Sequence, residues 1–514
     1  MSLGSLHGPR ELGVLIGAGD RGPLVSAAVM VGSLLVLAIS ASTSAPLKIV
    51  APVVLLAVVC TVGHRTLLRF ETLLTGLVLV VLFVPIRRYT LPGGLPFQLE
   101  PYRLLTVFIA TGWIASLLAD PRVRLKKTGF ELQFGLIALS MLLSDAVNRG
   151  PIASLGVQTD VVKKLTFFAS FFAIAYVVPS VVRRRSQVDM LARVLVIGGA
   201  VLAACALWEG QTHYNVFNHL ASWIPLLKLD QLPYSLISHQ NDRGGRLRVY
   251  GPAQSPIAFG ALFVMLFPFG VYLAKRTGRK LWAFAALLIL MGALSTVSRT
   301  AIVMLIVMAI GYWRFRKNDV KRLWPLVIPF LVVVHVALPG TIGTLEGAFF
   351  PKGGIVAEQS AGAGTYGSGR VADLGPGLHD AKQHLILGQG FGTRLTDRAE
   401  GKANAPILDD QWLGTLLETG LLGVLAWLWL FGRFYRRMMQ AARLDDTSRA
   451  WLLGGLGASI LAFAVSLATY DTFSFIQVTI IAFFQIGFGA AVLAARDDSP
   501  PTLIAAAPVA AGGG

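Results

Sequence analysis

Arg248, Arg299 and Arg370 are the residues whose type and position best fit a chemical role. Arg248 precedes a long apolar run, Arg299 stands between two such runs with no acidic neighbour in sequence, and Arg370 lies in the long polar segment between two others. A guanidinium presents a planar fork of N–H donors that fits phosphate oxygens. Several guanidiniums that meet at the headgroup level of a membrane would therefore bind a pyrophosphate. The alternative for each arginine is that it reaches outward to a lipid phosphate.

Other arginines near the ends of apolar runs are secondary candidates. Arg88 and Arg103 are the two that we include as further pyrophosphate ligands. For Arg87, Arg88, Arg243 and Arg246, contact with lipid phosphates is the favoured interpretation.

Candidate acids and bases lie in the segment 367–425, which concentrates His, Arg and Asp between two apolar runs. Asp410 directly precedes an apolar run, where partial desolvation would raise the basicity of its carboxylate. For Asp410 and its neighbour Asp409, capping of a helix N-terminus is the alternative. His384 and His379 are further candidate proton acceptors, against the alternative of solvated loop histidines. Their spacing of five residues does not place them on one helix face, so no metal site is predicted.

The same segment predicts a short amphipathic helix. Leu374, Leu378, Ala381 and Leu385 recur at the spacing of one helical face, which predicts a helix lying on the bundle or on the membrane surface. Gly375-Pro376-Gly377 is expected to break or restart that helix. The following GQGFG predicts a flexible, tight turn that lets the backbone return to the membrane. Phosphate binding by this loop is the less favoured alternative, because it has neither dinucleotide-binding nor P-loop spacing.

The remainder of the chain has the composition of a membrane protein that positions these groups. The 514 residues are 54% apolar and 14% charged, with a mean hydropathy of +0.66. We therefore predict an all-α polytopic membrane bundle with about 12–14 transmembrane helices. The candidate spans are 24–41, 46–63, 71–86, 103–119, 130–146, 164–182, 190–208, 253–274, 281–298, 300–315, 323–340, 411–432, 450–469 and 473–495.

Charge sets the predicted orientation. The net charge of +18 comes from basic clusters in every second loop, which is typical of membrane orientation and argues against nucleic-acid binding. We predict a cytoplasmic tail at 1–23, membrane helices over 24–340 and 411–495, and a disordered tail at 496–514. The large loop 341–410 is then extracytoplasmic, and both termini are cytoplasmic. Cys60 and Cys205 lie in apolar runs and are interpreted as packing residues.

Four segments resemble one family, the O-antigen ligases and polysaccharide polymerases of bacterial membranes. They are RVYGPAQSPIAFGALFVMLFPF, LSTVSRTAIVML, GRVADLGPGLHDAKQHLILGQGFGT and DDQWLGTLLETGLLGVLAWL, which together span residues 245–432. The family transfers glycans carried by undecaprenyl or decaprenyl pyrophosphate, outside the cytoplasmic membrane. This chain has Asp410-Gln411 where core ligases have a His-Asn pair, and its loop helix lacks the usual Trp. The resemblance therefore implies a polymerase or a divergent ligase.

The resemblance and the residues together predict a metal-independent, cofactor-free glycosyl transfer. The partners would be a polyprenyl-pyrophosphate-linked glycan donor, a glycan acceptor and the lipid bilayer of the cytoplasmic membrane. Arg248, Arg299 and Arg370 would bind the pyrophosphate, and Asp410 would be the base, with His384 or His379 as substitutes. One alternative is a transporter or flippase whose outer arginines form an anion-binding vestibule, although charges deep within the spans are scarce. The second alternative is a structural membrane protein without catalysis. The large loop rich in His and Arg disfavours this alternative.

Overall fold

A computed structural model describes most of the chain. The described residues are 69–91, 99–119, 125–230, 242–243, 246–351, 370–395, 404–406 and 408–495. The predicted spans 24–41 and 46–63 and both predicted tails lie outside these ranges.

Most of the described chain is helical. The helices are α1 (Phe70–Phe83), α2 (Pro101–Ala119), α3 (Glu131–Val147), α4 (Arg149–Ser154), α5 (Gln158–Val181), α6 (Arg185–Thr212), α7 (Leu220–Trp223), α8 (Pro256–Thr277), α9 (Lys280–Ser295), α10 (Arg299–Phe315), α11 (Lys317–Leu323), α12 (Val327–Ala337), α13 (Thr341–Phe349), α14 (Arg370–Gln383), α15 (Gln411–Arg443), α16 (Ser448–Ser466) and α17 (Ile476–Ala494). Short 3₁₀ turns occur at Val216–His219, Trp324–Leu326 and Thr472–Ser474. Two antiparallel pairs of two-residue strands complete the described structure: β1 (Tyr89–Thr90) with β2 (Lys228–Leu229), and β3 (Asp242–Arg243) with β4 (Arg246–Leu247).

Among the described residues, 8 helical stretches are long and apolar enough to cross a membrane. They are Pro101–Leu118, Gln158–Val181, Arg185–Thr212, Pro256–Thr277, Lys317–Ala337, Gln411–Arg443, Ser448–Ser466 and Ile476–Ala494. The helices α1 and α9 are shorter and equally apolar. The predicted all-α polytopic membrane bundle is confirmed.

The centre of the bundle is α17, nearly all of whose residues are buried. It packs against α5 and α8, and Phe483 stacks on Phe171 with ring centroids 5.5 Å apart. Small residues allow close approach of the helix backbones, since a Cβ on Gly487 would lie 2.5 Å from the Ala175 carbonyl oxygen. In a bilayer such close packing, rather than exclusion of water, holds helices together. These helices therefore form a rigid support for the loops at their ends.

The long helices alternate in direction, so the bundle has two chemically different ends. At one end, which we call the basic end, Arg437 donates to the Thr128 carbonyl at 2.8 Å and Arg449 donates to the Leu493 carbonyl at 3.0 Å. The arginines and lysines in the last turns of α8, α10 and α15 also lie there. The opposite end, the site end, contains the N-termini of α8, α10 and α15 and the linker between α16 and α17.

The loop helix α14 differs from its prediction in two ways. It continues through Pro376, so the predicted break is wrong. Because Gly377 has no side chain, its backbone packs directly on Leu413 of α15. This packing offsets the loss of the helical hydrogen bond that proline cannot make. The buried face of α14 is formed by Ala372, Asp373, Gly377 and Ala381. The predicted leucines Leu374, Leu378 and Leu385 are exposed.

Candidate functional site

The linker between α16 and α17, residues 467–475, brings the starts of two other helices together. At the start of α15, the Gln411 N–H donates to the Leu467 carbonyl at 2.7 Å, and Gln411 Oε1 accepts from the Phe473 N–H at 3.0 Å. At the start of α10, the Thr300 hydroxyl donates to Thr469 Oγ1 at 3.0 Å. The N-termini of α10 and α15 are therefore fixed beside one linker.

These contacts place the backbones of Arg299 and Asp410 near the same linker, because each is the chain neighbour of a residue that contacts it. Ser298 caps α10 by accepting from the Ala301 N–H at 3.4 Å. Asp410 caps α15, with Oδ1 accepting from the Leu413 N–H at 3.1 Å. The hydrogen bond to the Leu413 N–H is the helix cap that was one of the two interpretations of Asp410. Two helix N-termini and a half-buried arginine form a setting that favours an anion.

A buried clamp fixes the turn that follows Arg248. The carboxylate of Glu209 accepts from the N–H groups of Tyr250, at 3.2 Å, and Gly251, at 2.9 Å. From the other side, Arg88 donates to the carbonyls of Gly251, at 3.1 Å, and Ala253, at 2.8 Å. The clamp holds Arg248 just before the start of α8, at the site end.

Arg88 is therefore a structural residue of this clamp. It is 2% exposed and also donates to Asn218 Oδ1 at 2.9 Å. Burial lowers the pKa of its guanidinium to about 10, against opposing effects of Tyr250 and Glu209, so it stays protonated at neutral pH. The predicted contact of Arg88 with a lipid phosphate is wrong, because its partners are protein carbonyls.

Arg103 lies at the same end, in a second ion pair. Its Nε is 2.9 Å from Glu100 Oε2 and donates to the Tyr102 hydroxyl at 3.0 Å. Its guanidinium lies 4.9 Å from the ring centre of Phe167. Glu100 is fully buried and also accepts from the Arg87 N–H at 2.8 Å. Arg103 is thus held on the bundle rather than free to move with the lipid.

A group of charged residues at the site end was not found by sequence reasoning. We call Asp145, Lys164, Glu418 and Asp471 the carboxylate cluster. Lys164 Nζ donates to both oxygens of Glu418, at 2.6 and 2.7 Å, and Glu418 is 5% exposed. Asp145 Oδ1 accepts from the Phe391 N–H at 2.6 Å, whereas its Oδ2 is buried without a hydrogen-bond partner among the described residues. The charges of Lys164 and Glu418 act on both Asp145 and Asp471.

Asp471 is the member of this cluster that belongs to the linker. Its Oδ2 accepts from the Ser474 hydroxyl at 2.5 Å. Burial raises the pKa of the Asp471 carboxyl above its ordinary value, and Glu418 adds to this effect. The Ser474 hydroxyl, Lys164 and Arg87 act in the opposite direction without cancelling it. The sequence does contain signals for two members of the cluster. Asp471 lies between two closely spaced apolar runs, and Glu418 lies in the ETGLLG pattern quoted above.

The GQGFG segment is a turn, as predicted, and it is docked on α15 and α3. The Leu421 N–H donates to the Leu385 carbonyl at 2.8 Å, and the Gln389 N–H donates to the Leu417 carbonyl at 2.8 Å. These bonds are possible because α15 bends at Gly420, which has a φ of 65°. The turn also meets α3, where the Gly390 N–H donates to Ser144 Oγ at 3.0 Å. This docking places Phe391 against the carboxylate cluster.

The other predicted groups are less closely assembled. His379, His384 and Asp409 are exposed. Arg370 is the first residue of α14, and its side chain lies outside the described part of the structure. Because Gly377 lies on Leu413 and Leu385 bonds to Leu421, α14 and the start of α15 run in the same direction. The backbone of Arg370 is therefore at the end of α14 that points to the Asp410 side. The catalytic and binding roles of all these residues stay predictions.

Within the described ranges, no group of three or more His, Cys, Asp or Glu side chains is arranged to hold a metal ion. The described cysteine, Cys205, is unpaired and half-buried on α6.

Comparison with known proteins identifies a family for part of the chain. The family model described as O-antigen ligase matches residues 284–428, which extend from α9 into α15 and include Arg299, Arg370, Asp410 and Glu418. A search of the curated proteins finds no match. The resemblance predicted from the sequence is confirmed, because residues 284–428 match the O-antigen ligase family model.

Proposed function

We propose that this protein is a membrane glycosyltransferase, which moves a glycan from a polyprenyl-pyrophosphate donor to an acceptor sugar hydroxyl. The observation that supports this most strongly is the joining of the α10 and α15 N-termini at one linker, within and beside the matched O-antigen ligase region. A site built from helix N-termini and arginine suits a leaving group with several negative charges.

The pyrophosphate of the donor binds Arg299, together with Arg248 and Arg370. Arg248 is held by the buried clamp, and Arg299 is held by the contact of Thr300 with the linker. Because these positions are set before the substrate arrives, the arginines stabilise the charge that develops on the leaving pyrophosphate without reorganising. Arg103 lies farther along the same end and is a secondary contact.

The lipid chain of the donor has a matching apolar groove. A largely open cavity of about 310 Å³ lies between α9, α10, α12 and α13. Its lining includes Ile302, one helical turn after Arg299, and Val334, Ile342 and Phe349. A donor with its pyrophosphate at Arg299 would place the first isoprene units in this groove.

The site end faces outward in this proposal. Lys and Arg are retained in the cytoplasm during membrane insertion, and they concentrate at the basic end. The protein would thus lie in the cytoplasmic membrane with its site at the outer face, where a lipid-linked glycan and its acceptor meet.

The reaction is a displacement at the anomeric carbon. The acceptor oxygen attacks from the face opposite the pyrophosphate, the bond from the anomeric carbon to the phosphate oxygen breaks, and the pyrophosphate leaves with the electron pair. The anomeric configuration is inverted. The arginines supply the positive charge at the leaving group, so the reaction proceeds without a metal ion. The Asp410-Gln411 pair favours a polymerase or a divergent ligase over a core ligase.

The test uses the full-length protein in proteoliposomes, with the polyprenyl-pyrophosphate-linked oligosaccharide extracted from membranes of its native host. Wild type should lengthen the glycan, and Arg299→Ala should slow this by about 10²–10³-fold, as expected for the loss of one preorganised charge. Arg322→Ala, an exposed arginine at the basic end, is the matched control and should behave as wild type. Translocation of the lipid with no new glycosidic bond would instead identify a flippase.

A further inference from the structure

We propose that Asp471 is the general base that takes the proton from the acceptor hydroxyl, with the Lys164–Glu418 pair as its charged neighbours. This inference rests on the proposed glycosyl transfer and adds to it a residue that lies outside the matched region 284–428.

The position of Asp471 is fixed by its neighbours in the linker. Tyr470 and Thr472 are 1% and 0% exposed, so the backbone on both sides is buried. The Phe473 ring packs 5.3 Å from Phe168 and 4.8 Å from Trp427, measured between ring centres. Asp471 itself is partly exposed. A carboxylate on a buried backbone with access to solvent has the rigidity and the access that a general base requires.

Asp471 also lies between the two helix starts that bind the donor. Two residues before it, Thr469 accepts from Thr300, the neighbour of Arg299. Two residues after it, Phe473 donates to Gln411. The positive charge of Arg87, which is exposed, reaches Asp471 as well. An acceptor that enters from the solvent side would meet Asp471 and a donor held by Arg299.

The charge balance of the carboxylate cluster favours proton uptake. It has the carboxylates of Asp145, Glu418 and Asp471 around one lysine, and both hydrogen bonds of Lys164 go to Glu418. Asp145 Oδ2 is buried and has no hydrogen-bond donor within the described structure. An excess of negative charge in a partly desolvated group stabilises an added proton. The cluster can therefore accept the proton that glycosyl transfer releases.

The other candidate bases have less suitable surroundings. Asp410 already has a structural role, because its Oδ1 caps α15 by accepting from the Leu413 N–H. His379 is exposed on α14, and His384 is exposed just after the end of that helix.

The acceptor O–H bond breaks and its proton moves to the Asp471 carboxylate, while the acceptor oxygen forms a bond to the anomeric carbon. The bond between that carbon and the pyrophosphate oxygen breaks, and the electron pair leaves with the pyrophosphate. The carboxylic acid of Asp471 then returns its proton to water.

The test compares Asp471→Ala and Asp471→Asn with wild type in the same proteoliposomes. Both variants should transfer the glycan to its sugar acceptor at least about 10²-fold more slowly, which is the usual contribution of a general base. Azide is a nucleophile that needs no deprotonation. With azide, both variants should form the glycosyl azide of inverted configuration as fast as wild type, which also shows that they are folded. Asp446→Asn, a carboxylate at the basic end, is the control and should leave both reactions unchanged.

Two results would overturn the inference. One is normal transfer to the sugar acceptor by Asp471→Asn; loss of transfer in Asp410→Asn, which keeps a capping side chain, would then identify Asp410 as the base. The other is equal loss of sugar transfer and azide reaction in both Asp471 variants, which would mean a structural role. If wild type neither transfers the glycan nor reacts with azide, the proposed function fails instead, so the two failures are distinguishable.

Discussion

At the scale of single residues, the carboxylate cluster links structure to a measurable pH dependence. A general base must be deprotonated, so the rate of transfer rises as pH increases through its pKa. The groups that face Asp471 are Lys164 and Arg87, which lower its pKa, and Glu418, which raises it. Tyr470 and Ser474 are its titratable and hydrogen-bonding neighbours in the linker.

The first prediction concerns these two opposing charges. Lys164→Met removes a positive charge, so the acidic limb of kcat/KM should move to higher pH by about one unit. Glu418→Gln removes a negative charge, so the limb should move to lower pH. The measurement is the pH profile of glycan transfer in proteoliposomes. Shifts of both variants in the same direction would contradict a direct charge effect on the base.

The second prediction concerns the clamp at Arg88. Arg88→Ala leaves Glu209 and two carbonyls without their buried positive partner, and breaking a buried pair in this way costs about 3–5 kcal/mol. The thermal midpoint of the detergent-solubilised protein should therefore fall strongly, whereas Arg322→Ala should leave it unchanged. A midpoint equal to that of wild type would show that the clamp does not stabilise the fold.

At the scale of elements, the bend of α15 at Gly420 is what joins the loop to the bundle. The φ of 65° and ψ of −165° at Gly420 lie in a region that is open to glycine alone. A Cβ there would lie 2.3 Å from the Ile386 carbonyl oxygen. The bend frees N–H groups of Leu421 and Leu422, which donate to the carbonyls of Leu385 and Ile386.

Gly420→Ala is the third prediction. The backbone strain alone should cost about 1–3 kcal/mol, and the contact with Ile386 should separate the docked turn from α15. We expect a lower thermal midpoint and faster proteolysis near residues 385–395. Gly432→Ala, in the same helix with open space at its Cβ position, should be neutral or slightly stabilising. Equal behaviour of the two variants would exclude a role for the bend.

The elements also show what sequence could and could not predict. The apolar runs predicted the described long helices, because a segment that crosses the membrane must form its backbone hydrogen bonds within itself. The capping of α15 by Asp410 was one of two interpretations offered. The carboxylate cluster was not predictable in the same way, because Lys164 and Glu418 are separated by 254 positions and meet only through packing. The same reason explains why the buried role of Arg88 was missed.

At the scale of the whole molecule, the separation of a basic end from a site end has a direct consequence for topology. The basic end should face the cytoplasm and the site end should face outward. Single cysteines replacing the exposed residues Asp409 and Asp446 mark the two ends.

The fourth prediction is the labelling of these cysteines in a background without Cys60 and Cys205. A membrane-impermeant maleimide added to intact spheroplasts should label Asp409→Cys and should not label Asp446→Cys until the cells are opened. The reverse pattern would place the site at the cytoplasmic face and contradict the proposed use of an outward-facing donor.

The most direct measurement of the central claim is the stoichiometry of the reaction in proteoliposomes that contain EDTA. For each new glycosidic bond, wild type should release one polyprenyl pyrophosphate, and Arg299→Ala should lose both products in parallel. Chain extension that requires a divalent metal would contradict leaving-group stabilisation by arginine. Absence of both glycosidic bond formation and lipid pyrophosphate release from wild type would contradict glycosyl transfer itself.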